Sequence, residues 1–223
     1  MSQAVLEARG IVKRFGALTA LGGVSFDLRA GEVHALCGEN GAGKSTLIKL
    51  LAGVHPRGSY EGEILIDGRP AAFGSTRDAE RAGIAIIHQE LALFPEMSVG
   101  ENLFLGALPR CRGRIDWDRV YAQAAATLAD CGIALDPATR VGDLGVGHQQ
   151  LIEIARAVAR RPRVLVLDEP TAALAQHEIA TLLALVRRLR DSGVACIFIS
   201  HKLDEVFAVA DRITVLRDGT VQG

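Results

Sequence analysis

Apolar residues along this chain form two patterns, short continuous runs and longer stretches with helical spacing. Nearly unbroken apolar runs are typical of strands buried on both faces of a parallel sheet. They lie at Val33–Cys37, Ile84–Ile87, Val164–Leu167 and Val194–Ile199. Two of them are followed by apolar residues at i, i+3, i+4 and i+7: Leu47, Leu50, Leu51 and Val54, then Ile179, Leu182, Leu183 and Val186. Strands that alternate with amphipathic helices predict an α/β fold with a mostly parallel core sheet.

The beginning of the chain has a different pattern. Strand-like segments lie at Val5–Lys13, Val24–Leu28 and Glu63–Ile66. The dipeptides Ala30-Gly31 and Asp67-Gly68 between and after them are typical of turns. These segments predict an N-terminal antiparallel β layer beside the parallel core.

The middle of the chain, from about Met97 to Arg160, is predicted to be mostly helical. One apolar stripe with helical spacing contains Trp117, Val120, Tyr121, Ala124, Leu128 and Cys131, and another contains Leu151, Ile154, Ala155 and Val158. Both stripes are expected to face a core. We therefore predict one domain, with a core at 1–90 and 161–223 and a helical sub-domain at about 91–160.

The strongest chemical signal is a glycine-rich segment between the predicted strand Val33–Cys37 and the helix after it. The segment is Gly38-Glu39-Asn40-Gly41-Ala42-Gly43-Lys44-Ser45-Thr46, which matches the phosphate-binding pattern G-x-x-x-x-G-K-[ST]. Glycines let successive backbone N–H groups point at phosphate oxygens, and the helix adds its positive N-terminal end. Lys44 is expected to reach the β- and γ-phosphates, Ser45 to ligate Mg²⁺ and Thr46 to support the α-phosphate.

Two carboxylates follow the apolar run Val164–Leu167. Unpaired charge at the end of a buried strand is costly, so Asp168 and Glu169 need a reason to be there. Downstream of a phosphate loop, Asp168 is predicted to bind Mg²⁺ and Glu169 to position or deprotonate an attacking water. His201 follows the next apolar strand, where a place near a nucleotide and a purely structural role are both open.

Composition restricts the possible partners and locations. The 25 basic and 26 acidic residues nearly cancel, so no strongly basic field is expected to recruit nucleic acid or anionic lipid. The beginning of the chain lacks the apolar core of a signal peptide, and no apolar run is long enough to span a membrane. The four cysteines have no metal-ligand spacing, and reduced thiols are expected of a cytosolic protein.

Taken in order, these residues resemble the ATPase domain of ABC transporters, and the resemblance covers essentially the whole chain. Phe15 is similar to the aromatic residue that stacks on adenine. Gln89 is similar to the glutamine that touches Mg²⁺ and the attacking water. The segment Leu144–Gln150 occupies the place of the family signature, so Gly145, Gly147 and His148 are expected to contact nucleotide. His201 resembles the histidine that contacts the γ-phosphate, which favours a catalytic role for it with Glu169, Lys44 and Gln89.

Shorter segments resemble one group in this family, the monosaccharide-import ATPases. They are Gly38–Gly43, Gln89–Leu91, Ser98–Asn102 and Gln149–Ala155. The resemblance implies ATP and Mg²⁺ as cofactors, a location on the cytoplasmic face of the membrane, and a permease gripped by Phe94-Pro95 and Val99–Leu105. It also implies a second ATPase domain, an indirect link to a sugar-binding protein and no nucleic acid. These proteins usually carry two ATPase halves, and this chain resembles the first.

The family signature is altered here. Gly145 stands where a serine is usual, His148 where glutamine is common, and Ala175 where an aspartate is common. The resemblance implies that this signature serves the nucleotide of the opposing domain, so we expect one full-strength and one impaired site. Three alternatives remain: an ABC ATPase in DNA repair or translation, a nucleotide-binding regulatory half with little turnover, and a small-molecule kinase. The compact interval 89–145 argues against an ATPase of DNA repair or translation. The pair Glu169 and His201 argues against a regulatory half. The segment Asp168–Pro170 argues against a kinase.

Overall fold

The computed structural model describes residues 4–87 and 91–222. These residues form two compact units. The first contains residues 4–87, 162–169 and 186–222, and the second contains residues 91–161 and 170–185. The division into core and sub-domain drawn from the sequence stays a prediction. In the described ranges, no helix combines the length and the apolar character that a membrane span requires.

Strands and helices alternate along most of the chain. The strands are β1 (Ala4–Phe15), β2 (Leu18–Arg29), β3 (Val33–Cys37), β4 (Glu61–Ile66), β5 (Arg69–Pro70), β6 (Ile84–Ile87), β7 (Arg110–Cys111), β8 (Arg114–Ile115), β9 (Val164–Asp168), β10 (Ala195–Ile199), β11 (Arg212–Arg217) and β12 (Thr220–Gln222). The helices are α1 (Lys44–Leu51), α2 (Thr76–Arg81), α3 (Val99–Leu103), α4 (Trp117–Cys131), α5 (Val146–Ala159), α6 (Gln176–Asp191) and α7 (Leu203–Val209). A short 3₁₀ turn, Val141–Asp143, precedes α5.

A six-stranded sheet forms the centre of the first unit. Its order is β12-β11-β3-β10-β9-β6, and every neighbouring pair is parallel except β11 and β12. All five residues of β10 are buried, as expected for a strand covered on both faces. The parallel core predicted from the apolar runs is thus confirmed, and β9 includes Asp168 as its last residue.

The antiparallel layer is also confirmed. Strands β2, β1, β4 and β5 form a four-stranded sheet in that order, and their pairs are antiparallel. One hydrophobic core joins side chains of this sheet, of the parallel sheet and of α1; its members include Leu6, Leu28, Leu36, Leu47 and Ile197. This core holds the segment between β3 and α1 against the rest of the unit.

The second unit contains α3, α4, α5 and the beginning of α6. Ser98 caps α3 in a reciprocal capping box with Glu101, and Asp116 caps α4 by accepting the Arg119 N–H. The predicted helix Val99–Leu105 ends at Leu103. Because Val99 and Leu103 are buried, the apolar residues of α3 belong to the core of this unit.

Some local predictions are wrong. Val54 does not continue the stripe of α1, because the helix ends at Leu51 and Gly53 takes a left-handed conformation, which leaves Val54 46% exposed. Trp117 is 43% exposed on α4 rather than part of the core. The hairpin of β7 and β8 interrupts the stretch predicted to be helical, because strands of two residues carry no detectable periodicity.

A polar cluster around His34 is buried in the first unit. Its imidazole Nε2 lies 2.7 Å from Thr214 Oγ1, and Nδ1 lies 2.9 Å from the Asp27 carbonyl oxygen. The Phe26 ring packs against it with centroids 4.4 Å apart, and Arg212 Nη2 lies 3.0 Å from Nδ1. Burial, and then the charge of Arg212, lower the pKa of His34 to about 4. The ring is therefore neutral at pH 7.

Acidification from pH 7 to pH 5 should lower the free energy of unfolding by about 2 kcal/mol through His34 alone. The folded pKa of about 4 lies below the ordinary 6.5, so the unfolded chain binds more protons between these values and stability falls as the pH decreases towards 4. Urea denaturation at both pH values, with His34→Gln as the comparison, measures this. The variant should lose about 2 kcal/mol less between the two pH values, and an unchanged pH dependence would contradict the assignment.

Candidate functional site

The segment 38–46 follows β3 and leads into the first turn of α1, and two of its glycines are sterically required. Gly38 has φ 150°, and a Cβ there would lie 2.2 Å from the Leu216 carbonyl oxygen. Gly43 has φ 105° and precedes α1 without a side-chain cap; its Cβ would lie 2.8 Å from the Ala20 carbonyl oxygen. The loop is thus pressed against β2 and β11, and the first N–H groups of α1 have no capping side chain.

Lys44 extends across the loop. Its Nζ donates to the carbonyl oxygens of Gly38, at 2.6 Å, and Glu39, at 3.0 Å. This places an ammonium group over a turn whose N–H groups suit phosphate oxygens. Ser45 is exposed in the first turn of α1, and Thr46 is half-buried beside it.

Glu169 and His201 meet at the carboxyl edge of the parallel sheet. His201 Nδ1 lies 2.8 Å from Glu169 Oε2, and the Glu169 N–H donates to the Ile199 carbonyl oxygen at 3.0 Å. Glu169 has φ 51°, a conformation that non-glycine residues adopt at some energetic cost and that concentrates at functional sites. The residue left open by spacing alone is therefore in contact with the predicted catalytic carboxylate.

The strand order brings these groups to the same sheet edge as the phosphate loop. β10 lies between β3, which leads into the loop, and β9, which ends at Asp168. Asp168 pairs with Ile199 in the register of β9 and β10. Parallel strands end at one edge, where ligands of open α/β sheets bind.

The donor set suits Mg²⁺ held jointly with a phosphate. Within residues 4–87 and 91–222, no three His, Cys, Asp or Glu side chains form a cluster that holds a metal by themselves. A hydroxyl on Ser45 and a carboxylate on Asp168 are the hard oxygen donors that Mg²⁺ uses together with substrate oxygens and water. Gln89, the third predicted ligand, lies outside the described residues.

Phe15 ends β1 with its ring partly exposed, as a stacking surface requires. The His55 ring packs edge-on against it, with centroids 5.4 Å apart. Lys13 Nζ lies 5.0 Å from the Phe15 centroid and donates to the Ser59 carbonyl oxygen at 2.7 Å. Burial, and then the charges of Lys13 and Lys49, lower the pKa of His55, so its ring supports Phe15 in the neutral form. Sequence reasoning missed both neighbours, because nothing in their spacing connects them to Phe15.

The altered signature lies at the start of α5 in the second unit. Gly145 is the exposed N-cap residue, and Gly147 is buried. Gln149 Nε2 donates to the carbonyl oxygens of Leu144, at 2.9 Å, and Val141, at 3.2 Å, which fixes the turn before the helix.

A carboxylate that sequence reasoning missed lies against this helix start. A Cβ at Gly147 would be 2.2 Å from Glu178 Oε2, so the absence of a side chain at this position lets the carboxylate come this close to the start of α5. Glu178 also accepts the Ala175 N–H at 2.7 Å, and its Oε1 lies 3.7 Å from His148 Nδ1. Glu178 therefore links the segment after Pro170 to the signature, although Ala175 itself has no carboxylate.

The segment 91–96 presents an exposed aromatic ring. Phe94 is 52% exposed, yet its backbone is held by Asn102, which accepts its N–H at 2.8 Å and donates to its carbonyl at 3.0 Å. Of the two predicted permease contacts, the one at Phe94 is exposed, and the one on α3 is largely buried.

Comparisons with known proteins agree with this geometry. The family model described as "ABC transporter" matches residues 21–172. The chain is 55% identical over 223 residues to "Xylose import ATP-binding protein XylG" of Moorella thermoacetica, covering 100% of this chain and 44% of that protein. It is 52% identical over 219 residues to "L-arabinose transport ATP-binding protein AraG" of Geobacillus stearothermophilus, covering 98% of this chain and 43% of that protein. The chain thus spans less than half the length of these relatives.

Solved structures of ATP-binding cassettes from ABC transporters also resemble this chain. A nucleotide-free ATP-binding cassette from an ABC transporter superimposes with a TM-score of 0.85 and 27% identity, covering 99% of this chain and 90% of that one. A structure described as the ADP conformation of an ATP-binding cassette of an ABC transporter has a TM-score of 0.83 and 27% identity, covering 100% of this chain and 91% of that one.

Proposed function

This chain belongs to the ABC transporter family, and on that premise we propose that it hydrolyses ATP to drive import of a small sugar through a partner membrane permease. The observation that carries the hydrolytic part is the contact between Glu169 and His201 at the sheet edge that also bears the phosphate loop. A carboxylate oriented by an imidazole beside a phosphate site is suited to directing water at phosphorus.

In the proposed mechanism the first unit binds one ATP. Phe15 stacks on adenine, and the backbone N–H groups of 38–46 hold the phosphates. Lys44 exchanges its two carbonyl partners for β- and γ-phosphate oxygens, which offer charge-assisted hydrogen bonds. Ser45, Asp168 and Gln89 would hold Mg²⁺, and their ligation would place its positive charge against the phosphate oxygens.

Glu169 acts as the group that orients and deprotonates the attacking water. His201 holds one carboxylate oxygen, so the other remains available for the water. His201 is largely exposed, which suits a residue that also turns to the γ-phosphate when nucleotide is bound. The left-handed backbone at Glu169 supports this role, because strain of this kind keeps a side chain in one direction.

The second unit is proposed to contact another ATPase domain and the permease. Gly145, Gly147 and His148 are proposed to contact nucleotide held by another ATPase domain, through backbone N–H groups at the start of α5. Phe94 is proposed to contact the permease, since its ring is exposed while its backbone is fixed. We further propose that the protein works at the cytoplasmic face of a membrane, where it reaches the permease, and that a sugar-binding protein delivers the cargo.

The sugar is proposed from the relatives. Proteins named for xylose import and L-arabinose transport match at 52–55% identity across nearly all of this chain. Pentoses are therefore the first cargo to test.

Transport by the assembled complex tests the proposal. The protein, its permease and its binding protein, reconstituted in vesicles with ATP, should accumulate labelled xylose or arabinose. The same complex carrying Glu169→Gln should not. Accumulation of a nucleoside but no pentose would reject the sugar assignment and keep the transport function. Hydrolysis without accumulation of any solute would reject transport.

A further inference from the structure

The hairpin of β7 and β8 is unusually rich in arginine. Arg110 pairs with Ile115, Cys111 pairs with Arg114, and the turn between the strands is Arg112-Gly113. All three arginines are exposed. Arg112 has φ 49°, where two-residue hairpin turns favour Asn, Asp or Gly. An arginine at this position costs conformational energy, so turn formation does not explain its presence.

The positive charge of the hairpin is not neutralised locally. Among residues 4–87 and 91–222, no carboxylate forms an ion pair with the guanidinium groups of Arg110, Arg112 or Arg114. Arg119 adds a fourth exposed guanidinium at the start of α4. The carboxylates next to them in the sequence are Asp116, which caps α4, and Asp118. Four arginines therefore outnumber two carboxylates in this surface.

An exposed indole adjoins the arginines. Trp117 begins α4 directly after the hairpin and stacks on Tyr121, with ring centroids 6.1 Å apart and an interplanar angle of 27°. The Asp116 N–H donates to the Pro109 carbonyl oxygen at 3.0 Å, which closes the base of the hairpin and keeps the indole beside it. Indole rings have an apolar body and a polar N–H, a combination enriched where membrane meets water.

We propose that residues 110–119, here called the arginine hairpin surface, bind the phosphate groups of anionic phospholipids. Guanidinium groups match phosphate oxygens in a bidentate fork, and each basic residue near an anionic membrane strengthens binding by about fivefold. The net charge of −1 gave no expectation of lipid binding, but here four arginines are concentrated within residues 110–119. This surface is much smaller than the extended basic face of a nucleic-acid-binding protein. The inference rests on the proposed function only in requiring that the protein works beside a membrane.

Trp117 is the one tryptophan in the sequence, so its fluorescence reports this surface directly. The chain should be titrated with vesicles of phosphatidylcholine alone and with vesicles containing about 30% phosphatidylglycerol, a surface that attracts basic segments. The anionic vesicles should shift the emission to shorter wavelength, and rising salt should reverse the shift. The neutral vesicles should leave the emission unchanged. An unchanged spectrum with anionic vesicles would overturn the proposal.

Two triple variants separate local charge from net charge. Arg110→Gln, Arg112→Gln and Arg114→Gln together should lower partitioning onto anionic vesicles by about 100-fold. The matched control replaces three exposed arginines elsewhere, Arg69→Gln, Arg77→Gln and Arg188→Gln, and should retain most of the binding. Equal losses in both variants with unchanged unfolding midpoints would mean that only net charge matters, and the hairpin would lose its assigned role.

Two further measurements test whether the partner is lipid and whether lipid binding is separate from ATP turnover. A single-stranded oligonucleotide that shifts Trp117 emission as strongly as the vesicles would replace lipid with nucleic acid as the partner. Vesicle binding needs neither ATP nor a permease, so it is measured separately from the ATPase activity. ATP turnover by the hairpin triple variant in detergent should match that of wild type. Failure of vesicle binding with intact turnover would therefore reject this inference alone.

Discussion

Replacing Glu169 with glutamine should lower ATP turnover by about 10³-fold, because a positioned general base contributes about 10² to 10⁴. Glutamine keeps the shape of the side chain and can still contact His201 Nδ1, now 2.8 Å from Glu169 Oε2. It removes only the charge that accepts a proton from water. ATP affinity should remain within about threefold of wild type, since no binding contact of the phosphate loop is altered. Phosphate release by the assembled complex and equilibrium binding of a fluorescent nucleotide measure the two effects.

Glu63→Gln provides the matched control for charge. Glu63 lies exposed on β4, so the same chemical change there should leave turnover unaltered. If Glu169→Gln retained more than about a tenth of the turnover, another group would be the base, since a lost base costs at least about 10². A parallel loss of ATP binding would instead indicate that Glu169 mainly supports the fold of the strand edge.

Replacing Lys44 with alanine should weaken ATP binding by about 100-fold. Lys44 Nζ makes two hydrogen bonds, to Gly38 and Glu39 carbonyl oxygens, and in the proposed complex exchanges them for phosphate oxygens. Hydrogen bonds to charged groups contribute about 1.5 to 3 kcal/mol each, so loss of two corresponds to at least about 3 kcal/mol. Calorimetric titration with ATP in the presence of Mg²⁺ measures the change.

Lys49→Ala is the control, because it removes an exposed lysine from the same helix. Its affinity for ATP should stay near that of wild type. AMP should bind the Lys44→Ala variant and wild type with similar affinity, since AMP lacks the phosphates that Lys44 reaches. Equal weakening of ATP and AMP binding would show that the substitution disrupts the loop as a whole.

The parts of the site that lie close together in sequence were predictable. The phosphate loop is contiguous, and its pattern depends on local backbone geometry and a helix start. The apolar run before Asp168 and Glu169 indicated a buried strand whose last residues reach solvent. Spacing alone left the role of His201 open, and only the family resemblance favoured a catalytic one, because its contact with Glu169 depends on the neighbouring positions of β9 and β10.

Other features left no detectable signal. Glu178 lies 31 positions after Gly147 in the sequence, and their contact depends on how α5 and α6 pack within one unit. The hairpin strands contain two residues each, too few for any periodicity. Val54 and Trp117 matched helical stripes but are exposed. Spacing predicts which face of a helix a residue lies on, but it does not predict how far along the helix other elements pack against that face.

The sequence by itself determined the α/β fold, the phosphate loop and the two carboxylates, because each depends on residues within a few positions of one another. The tertiary structure alone decided that Glu169 meets His201, that Phe15 rests on His55, and that Glu178 lies against Gly147. These contacts depend on strand order and helix packing. The hydrophobic effect that drives this packing is non-directional, so many sequences with a similar apolar pattern are compatible with the same packing. Which polar side chains meet is therefore known only from the packed structure.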